Sequence, residues 1–223
     1  MEDKRIAKKE WSATLRANHW TMAISIFILI ATGFYIAFPL TDASGETTWK
    51  FLMGDMRFYH LLFGILLVFI FIWRMYIMFF SRFHADWKYF FAWADPKNLI
   101  QQIKFYLLIS KKPPEHKFLY GPLQSLAYGG CMLMLLVIVV TGLILTGACY
   151  HDGLTLWTAN LLKPVEIMLG GLAGVRGIHH ICTWLFIRFF VVHLYMAFWY
   201  DAVFLEGTVS SMIGGRLFKK TKN

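Results

Sequence analysis

The chain has 223 residues, 58% of them hydrophobic, 18% aromatic and 16% charged, with a formal net charge of +9. That composition excludes an ordinary water-soluble domain, because too little charge remains to cover a surface. It also argues against nucleic-acid binding, since Lys and Arg cluster at the ends of apolar runs and not on a polar domain.

In chain order, the first sixteen residues are charged, and Trp20–Phe38 then carries no charge. No cleavable leader is expected, because this first apolar run is itself long enough to span. Phe58–Phe80 is interrupted only by His60 and Arg74, and Leu123–Tyr150 has no charge over 28 residues. Gly177–Tyr200 carries His179, His180, Arg188 and His193. A span needs about 20 mainly apolar residues, and lipid forces the backbone to satisfy itself as a helix. The expectation is an all-α, four-transmembrane-helix bundle in one integral-membrane domain over residues 1–223. Its spans are expected at about 20–38, 58–80, 123–150 and 177–203.

The connections differ in character. Pro39–Arg57 contains the turn formers Thr41, Asp42, Ser44 and Gly45. Ser81–Pro122 contains Asp95-Pro96, which reads as a helix N-cap followed by proline at the first helical position. Leu99, Ile100, Ile103, Tyr106, Leu107 and Ile109 follow at near-helical spacing. This predicts an interfacial amphipathic helix ended by Lys111-Lys112-Pro113-Pro114. His151–Arg176 ends among Gly170, Gly171, Gly174 and Gly177, which are either turn glycines or places where another backbone approaches closely.

Orientation follows from Lys and Arg. The N-terminal segment, the connection from Arg74 to Lys117 and the C-terminal tail hold seventeen of them, against four (Lys50, Arg57, Lys163, Arg176) on the opposite side. The positive-inside rule puts both termini in the cytoplasm of a multi-pass protein. Cys131, Cys149 and Cys182 lack metal-type spacing and read as small buried hydrophobes.

Four histidines carry the chemical signal. His179 and His193 are fourteen helical steps apart, about 1400° of rotation and about 21 Å of rise, so they share one helix face at two depths. His60 falls at the outer end of its span and His19 at the inner end of its own. The four sort by depth into His60 with His179 and His19 with His193. A lone histidine in a span ordinarily packs or hydrogen-bonds, but two level pairs suit bis-histidine ligation of two haem irons. Arg16, Arg57 and Arg176 each precede a proposed ligand by three residues, on its aqueous side, where arginine suits a haem propionate. Arg74 lies at the depth of the inner haem and either reaches its propionates or snorkels to the interface. Gly64, one turn below His60, leaves room for a porphyrin face or for helix packing.

These residues resemble a known family. Arg16-Ala17-Asn18-His19-Trp20, followed by Thr32-Gly33, resembles the first motif of the b-type cytochrome subunit of membrane-bound nickel–iron hydrogenases. Arg176-Gly177-Ile178-His179-His180-Ile181, continuing through Trp184, Phe186 and Phe189 to His193, resembles the second. Thr21, Ala31 and Gly177 depart from the residues usual at their positions. More distantly, the chain is similar to the cytochrome b subunit of formate dehydrogenase.

The resemblance implies an electron-transfer subunit of a quinone-reducing oxidoreductase in the bacterial inner membrane, with two haem b. The implied partners are the small (iron–sulfur) and large (nickel–iron) hydrogenase subunits on the periplasmic side, with further oligomerisation open. Electrons from H2 would reach a quinone, expected to be menaquinone, near the cytoplasmic face. His116, Tyr120, Gln124 and His193 are the candidate quinone residues, with a solvated loop histidine the alternative for His116. His84 and His151 read as loop histidines, and His180 points about 100° away from His179. Two competing classes are a haem anchor for another periplasmic dehydrogenase, such as formate dehydrogenase, and a non-redox transporter subunit.

Overall fold

The computed structural model describes residues 5–39, 51–81, 94–110, 121–150 and 152–220. The described residues form seven helices and one two-stranded ribbon: β1 (Arg5–Lys9), α1 (Ala13–Ala37), α2 (Leu52–Phe80), α3 (Pro96–Tyr106), α4 (Pro122–Cys149), α5 (Gly153–Met168), α6 (Gly171–Phe204), α7 (Thr208–Gly214) and β2 (Arg216–Lys220). Four helices, α1, α2, α4 and α6, are long and apolar enough to cross a membrane.

Three of the four long helices, α1, α2 and α6, start well before the apolar segments expected to span, while α4 matches its segment to within one residue. α1 starts at Ala13, α2 at Leu52 and α6 at Gly171, so Arg16, Arg57 and Arg176 are helical. Apolarity marks the hydrocarbon core, but backbone hydrogen bonding continues into the headgroup region. At about 1.5 Å per residue, the 34 residues of α6 exceed a bilayer's hydrocarbon thickness by a wide margin.

The chain divides into two compact units. The first comprises Met1–Asn18, Arg74–Leu133 and Phe186–Asn223. Here Asp95 caps α3, its side chain accepting from Asn98 N at 3.3 Å, and Pro96 opens the helix. The helix stops at Tyr106, earlier than Lys111, because Leu108 takes a left-handed conformation (φ 62°). Buried Gln102 reaches across to the start of α4, where its Oε1 accepts from Leu123 N at 2.7 Å. Gly121 permits this: a Cβ there would stand 2.5 Å from the Gln102 amide nitrogen. Tyr106 hydrogen-bonds Gln102 through its side chain, but burial outweighs that bond and raises the phenol above its ordinary range. The Tyr195 hydroxyl donates to the Tyr106 carbonyl at 2.9 Å, tying α3 to α6. Gln102→Leu should therefore remove the partner of a part-buried N–H and cost about 1 kcal/mol, read as a lower melting temperature in detergent.

The chain ends meet in this unit. β1 and β2 pair antiparallel, with Ala7 opposite Phe218. Gly207 and Gly215, both left-handed (φ 73° and 79°), bracket α7 and turn the chain back toward β1. Trp11 Nε1 donates to Ser211 Oγ at 3.2 Å, fixing α7 beside the start of α1.

The second unit comprises His19–Trp73 and Met134–Leu185. Leu67, Ile70, Leu135, Ile144, Val175 and Cys182 form its buried apolar core. The segment after Tyr150 is largely helical: α5 runs 16 residues and buries none of them. Gly147 of α4 lets α5 approach, since a Cβ there would lie 2.5 Å from that of Ala159. Gly170 and Gly171 adopt φ of 86° and 74° and turn the chain between α5 and α6. A side chain at Gly174 would collide with the Leu169 carbonyl. The glycines of this segment thus serve a turn and a close approach within the chain.

Candidate functional site

In the second unit, α2 and α6 bring His60 and His179 together with ring centroids 6.4 Å apart and planes at 65°. An iron about 2 Å from each of two imidazole nitrogens would set ring centres about 6 Å apart, so this spacing fits a bis-histidine haem. Two further helices hold the rings. Thr32 Oγ1 on α1 lies 2.9 Å from His60 Nδ1, and Thr141 Oγ1 on α4 lies 2.8 Å from His179 Nδ1. With Nδ1 engaged on both rings, Nε2 is the nitrogen left for a metal.

Gly33 makes tight room for a ring, and Gly142 lies in ordinary contact range of the other. A Cβ at Gly33 would stand 3.0 Å from His60 Cε1, and one at Gly142 would stand 3.5 Å from His179 Cε1. At Gly64 a Cβ would meet nothing within 4 Å, which leaves open space one turn from His60. Arg57 and Arg176 are exposed, one turn before His60 and His179. His180 turns elsewhere: its Nε2 accepts from Trp184 Nε1 at 3.3 Å, and Phe34 and Phe38 stand edge-on to it at 5.6 and 6.0 Å. Of the adjacent pair, His179 is the residue that meets His60.

His19 also belongs to the second unit and stands edge-on to Trp20 at 5.3 Å. His193 belongs to the first unit, where Phe189 stacks on it at 5.6 Å with planes 14° apart. Two arginines of the first unit carry buried N–H groups without a hydrogen-bond partner, Arg16 at Nε and Arg74 at Nη1. Arg16 Nη1 donates to the Ile213 carbonyl, and its Nε lies beside Gly215. Arg74 is 7% exposed. A buried guanidinium with an unsatisfied N–H fits an anionic group such as a haem propionate.

Gln124 hydrogen-bonds the Tyr128 side chain one turn along α4, and Arg74 lies within electrostatic reach of that phenol. His116 and Tyr120 lie outside the described residues, as do His84 and His151. Among the described residues, no three His, Cys, Asp or Glu cluster in a way that would hold a metal ion. Cys131 and Cys182 are buried, and Cys149 is exposed. Arg188, in the middle of α6, is exposed.

Sequence reasoning missed Thr32 and Thr141 as histidine partners, and it missed Tyr128. The visible signal for the threonines is a Thr-Gly dipeptide in each helix that faces a ligand. It is ambiguous alone, because Thr146-Gly147 repeats it where the glycine packs on α5.

A family model described as prokaryotic cytochrome b561 matches residues 10–215. The chain is 33% identical over 225 residues to a probable Ni/Fe-hydrogenase B-type cytochrome subunit of Azotobacter vinelandii, covering 97% of this chain and 91% of that one. It is 31% identical over 216 residues to the protein of the same description from Rhizobium leguminosarum bv. viciae, covering 94% and 88%. It is 26% identical over 219 residues to the probable Ni/Fe-hydrogenase 1 B-type cytochrome subunit of Escherichia coli K12, covering 96% and 92%.

Proposed function

The chain belongs to the prokaryotic cytochrome b561 family, and from that premise we propose that it is the dihaem membrane anchor of a periplasmic nickel–iron hydrogenase. In this role it passes electrons from H2 oxidation to a quinone, menaquinone by expectation. The observation that carries the proposal is the facing of His60 and His179, each with Nδ1 held by a threonine. When bound, two haem b supply a one-electron relay between the two sides of the membrane.

The chain's own residues then have distinct tasks. His60 and His179 would ligate one iron, and helix arithmetic assigns His19 and His193 to the other. Arg57 and Arg176 neutralise propionates at the first site, and Arg16 and Arg74 do so at the second. Gln124 and Tyr128, at the start of α4, orient a quinone carbonyl beside His193, with His116 and Tyr120 as further candidates from the sequence. The whole chain acts as one integral-membrane domain of the inner membrane with cytoplasmic termini. The pairing of β1 with β2 supports both ends lying on one side of the membrane, as an even number of spans requires.

The outer segments, Pro39–Arg57 and the exposed α5, form the surface on which the hydrogenase small subunit docks. Arg188, a charge deep in a span, meets a membrane helix of the partner or a second cytochrome. The assembled complex tests the function. H2 should reduce both its cytochrome haems and a menaquinone analogue. A complex reduced by formate with its own dehydrogenase, and inert to H2, would move the assignment to that partner.

A further inference from the structure

We propose that Thr32 and Thr141 are positioning residues that hold His60 and His179 as the Nδ1–H tautomer and set the electron-donating strength of both imidazoles. The inference rests on the haem ligation proposed above. Both threonines are buried, at 6% and 1% exposure. Each hydroxyl has one proton and two kinds of neighbour. Thr32 Oγ1 lies 2.8 Å from the Ile28 carbonyl and 2.9 Å from His60 Nδ1. Thr141 Oγ1 lies 2.7 Å from the Val137 carbonyl and 2.8 Å from His179 Nδ1.

A carbonyl can only accept. With the hydroxyl proton donated to the carbonyl four residues back, a lone pair on Oγ1 is left for the ring. Nδ1 must then carry the proton, and Nε2 presents its lone pair. His60 hydrogen-bonds the Leu29 backbone as well.

The device is built twice, from α1 toward α2 and from α4 toward α6. In both copies a glycine follows the threonine and faces the ring's Cε1 edge, tightly at Gly33 and at ordinary contact distance at Gly142. Thr146-Gly147 shows that the dipeptide alone does not create it: Thr146 Oγ1 bonds its own helix at Gly142 O, and Gly147 packs on Ala159.

A hydrogen bond from Nδ1–H to an acceptor raises the basicity of the ligating nitrogen, which favours ferric iron. A neutral hydroxyl does this mildly. Its removal makes the imidazole a poorer donor and raises the haem's midpoint potential.

The test is a redox titration of the purified hydrogenase–cytochrome complex carrying T141V, T32V, T141S or T32S, with haem content measured beside it. T141V should raise the potential of one haem, so that its reduced-to-oxidised ratio at fixed ambient potential increases several-fold. Tenfold corresponds to 59 mV for one electron. T32V should shift the same haem less, because His60 keeps its hydrogen bond to the Leu29 backbone. Both serine variants should return the wild-type potential, and the other haem should not move. Full haem content with unchanged potentials in T141V would overturn the proposal. Haem loss in both T141V and T141S would also overturn it, by marking Thr141 as a packing residue. Failure of the ligation reading would look different: H60A and H179A would each retain both haems.

Discussion

Alanine at His60 or at His179 should remove the same haem and leave the other with an unchanged spectrum. Each substitution would remove one of the two imidazoles proposed to hold the iron, and no other histidine among the described residues faces the pair. His180, next in sequence, is held by Trp184 Nε1 and lies among Phe34 and Phe38. His180→Ala should therefore keep both haems. The helices should survive, since the four spans are set by apolarity and backbone bonding and not by the haem. The measurement is haem per polypeptide, with a reduced-minus-oxidised spectrum of each variant. If H180A lost a haem that H179A kept, the ligand assignment at this site would fail.

Arg74→Leu should release the second haem more readily, and the sign of the effect is the informative part. A guanidinium that is 7% exposed with an unsatisfied N–H costs desolvation energy. If Arg74 had no anionic partner, leucine would stabilise the chain. If it holds a propionate of the haem at His19 and His193, leucine strands a buried carboxylate. Breaking a buried pair from one side costs about 3–5 kcal/mol. The expected result is loss of that haem in detergent, or a lower melting temperature of the holo-protein, with the His60–His179 haem unaffected. A more stable variant with full haem content would show that Arg74 serves some other purpose.

The spans were legible because lipid demands long apolar helices, and α3 was legible because Asp95-Pro96 states its own start. The ends were not. Leu52–Arg57 and Gly171–Arg176 mix polar and apolar residues, and their helical form comes from continuing a ladder already begun. Leu108 ends α3 in a conformation that its residue type does not announce. The β1–β2 ribbon pairs Arg5–Lys9 with Arg216–Lys220, a contact across the length of the chain that neither short segment declares. α5 was hidden because it buries nothing and leaves no clear stripe.

At the site, depth arithmetic paired His60 with His179 because helix rise and rotation are regular. It could not find Thr32 or Thr141, since threonine in a span ordinarily bonds its own helix, and these two do that as well. Only the packing of α1 against α2 and of α4 against α6 shows the second partner. Tyr128 was hidden for a similar reason: its relation to Gln124 is a plain helical spacing, and Arg74 joins them through the fold.

The central claim is that four histidines hold two haems in one chain, and the haem-to-polypeptide ratio tests it most directly. A pyridine haemochrome assay on the fully loaded complex, with the cytochrome quantified by amino-acid analysis, should return two haem b per chain. A ratio of one in a fully loaded preparation would contradict the account.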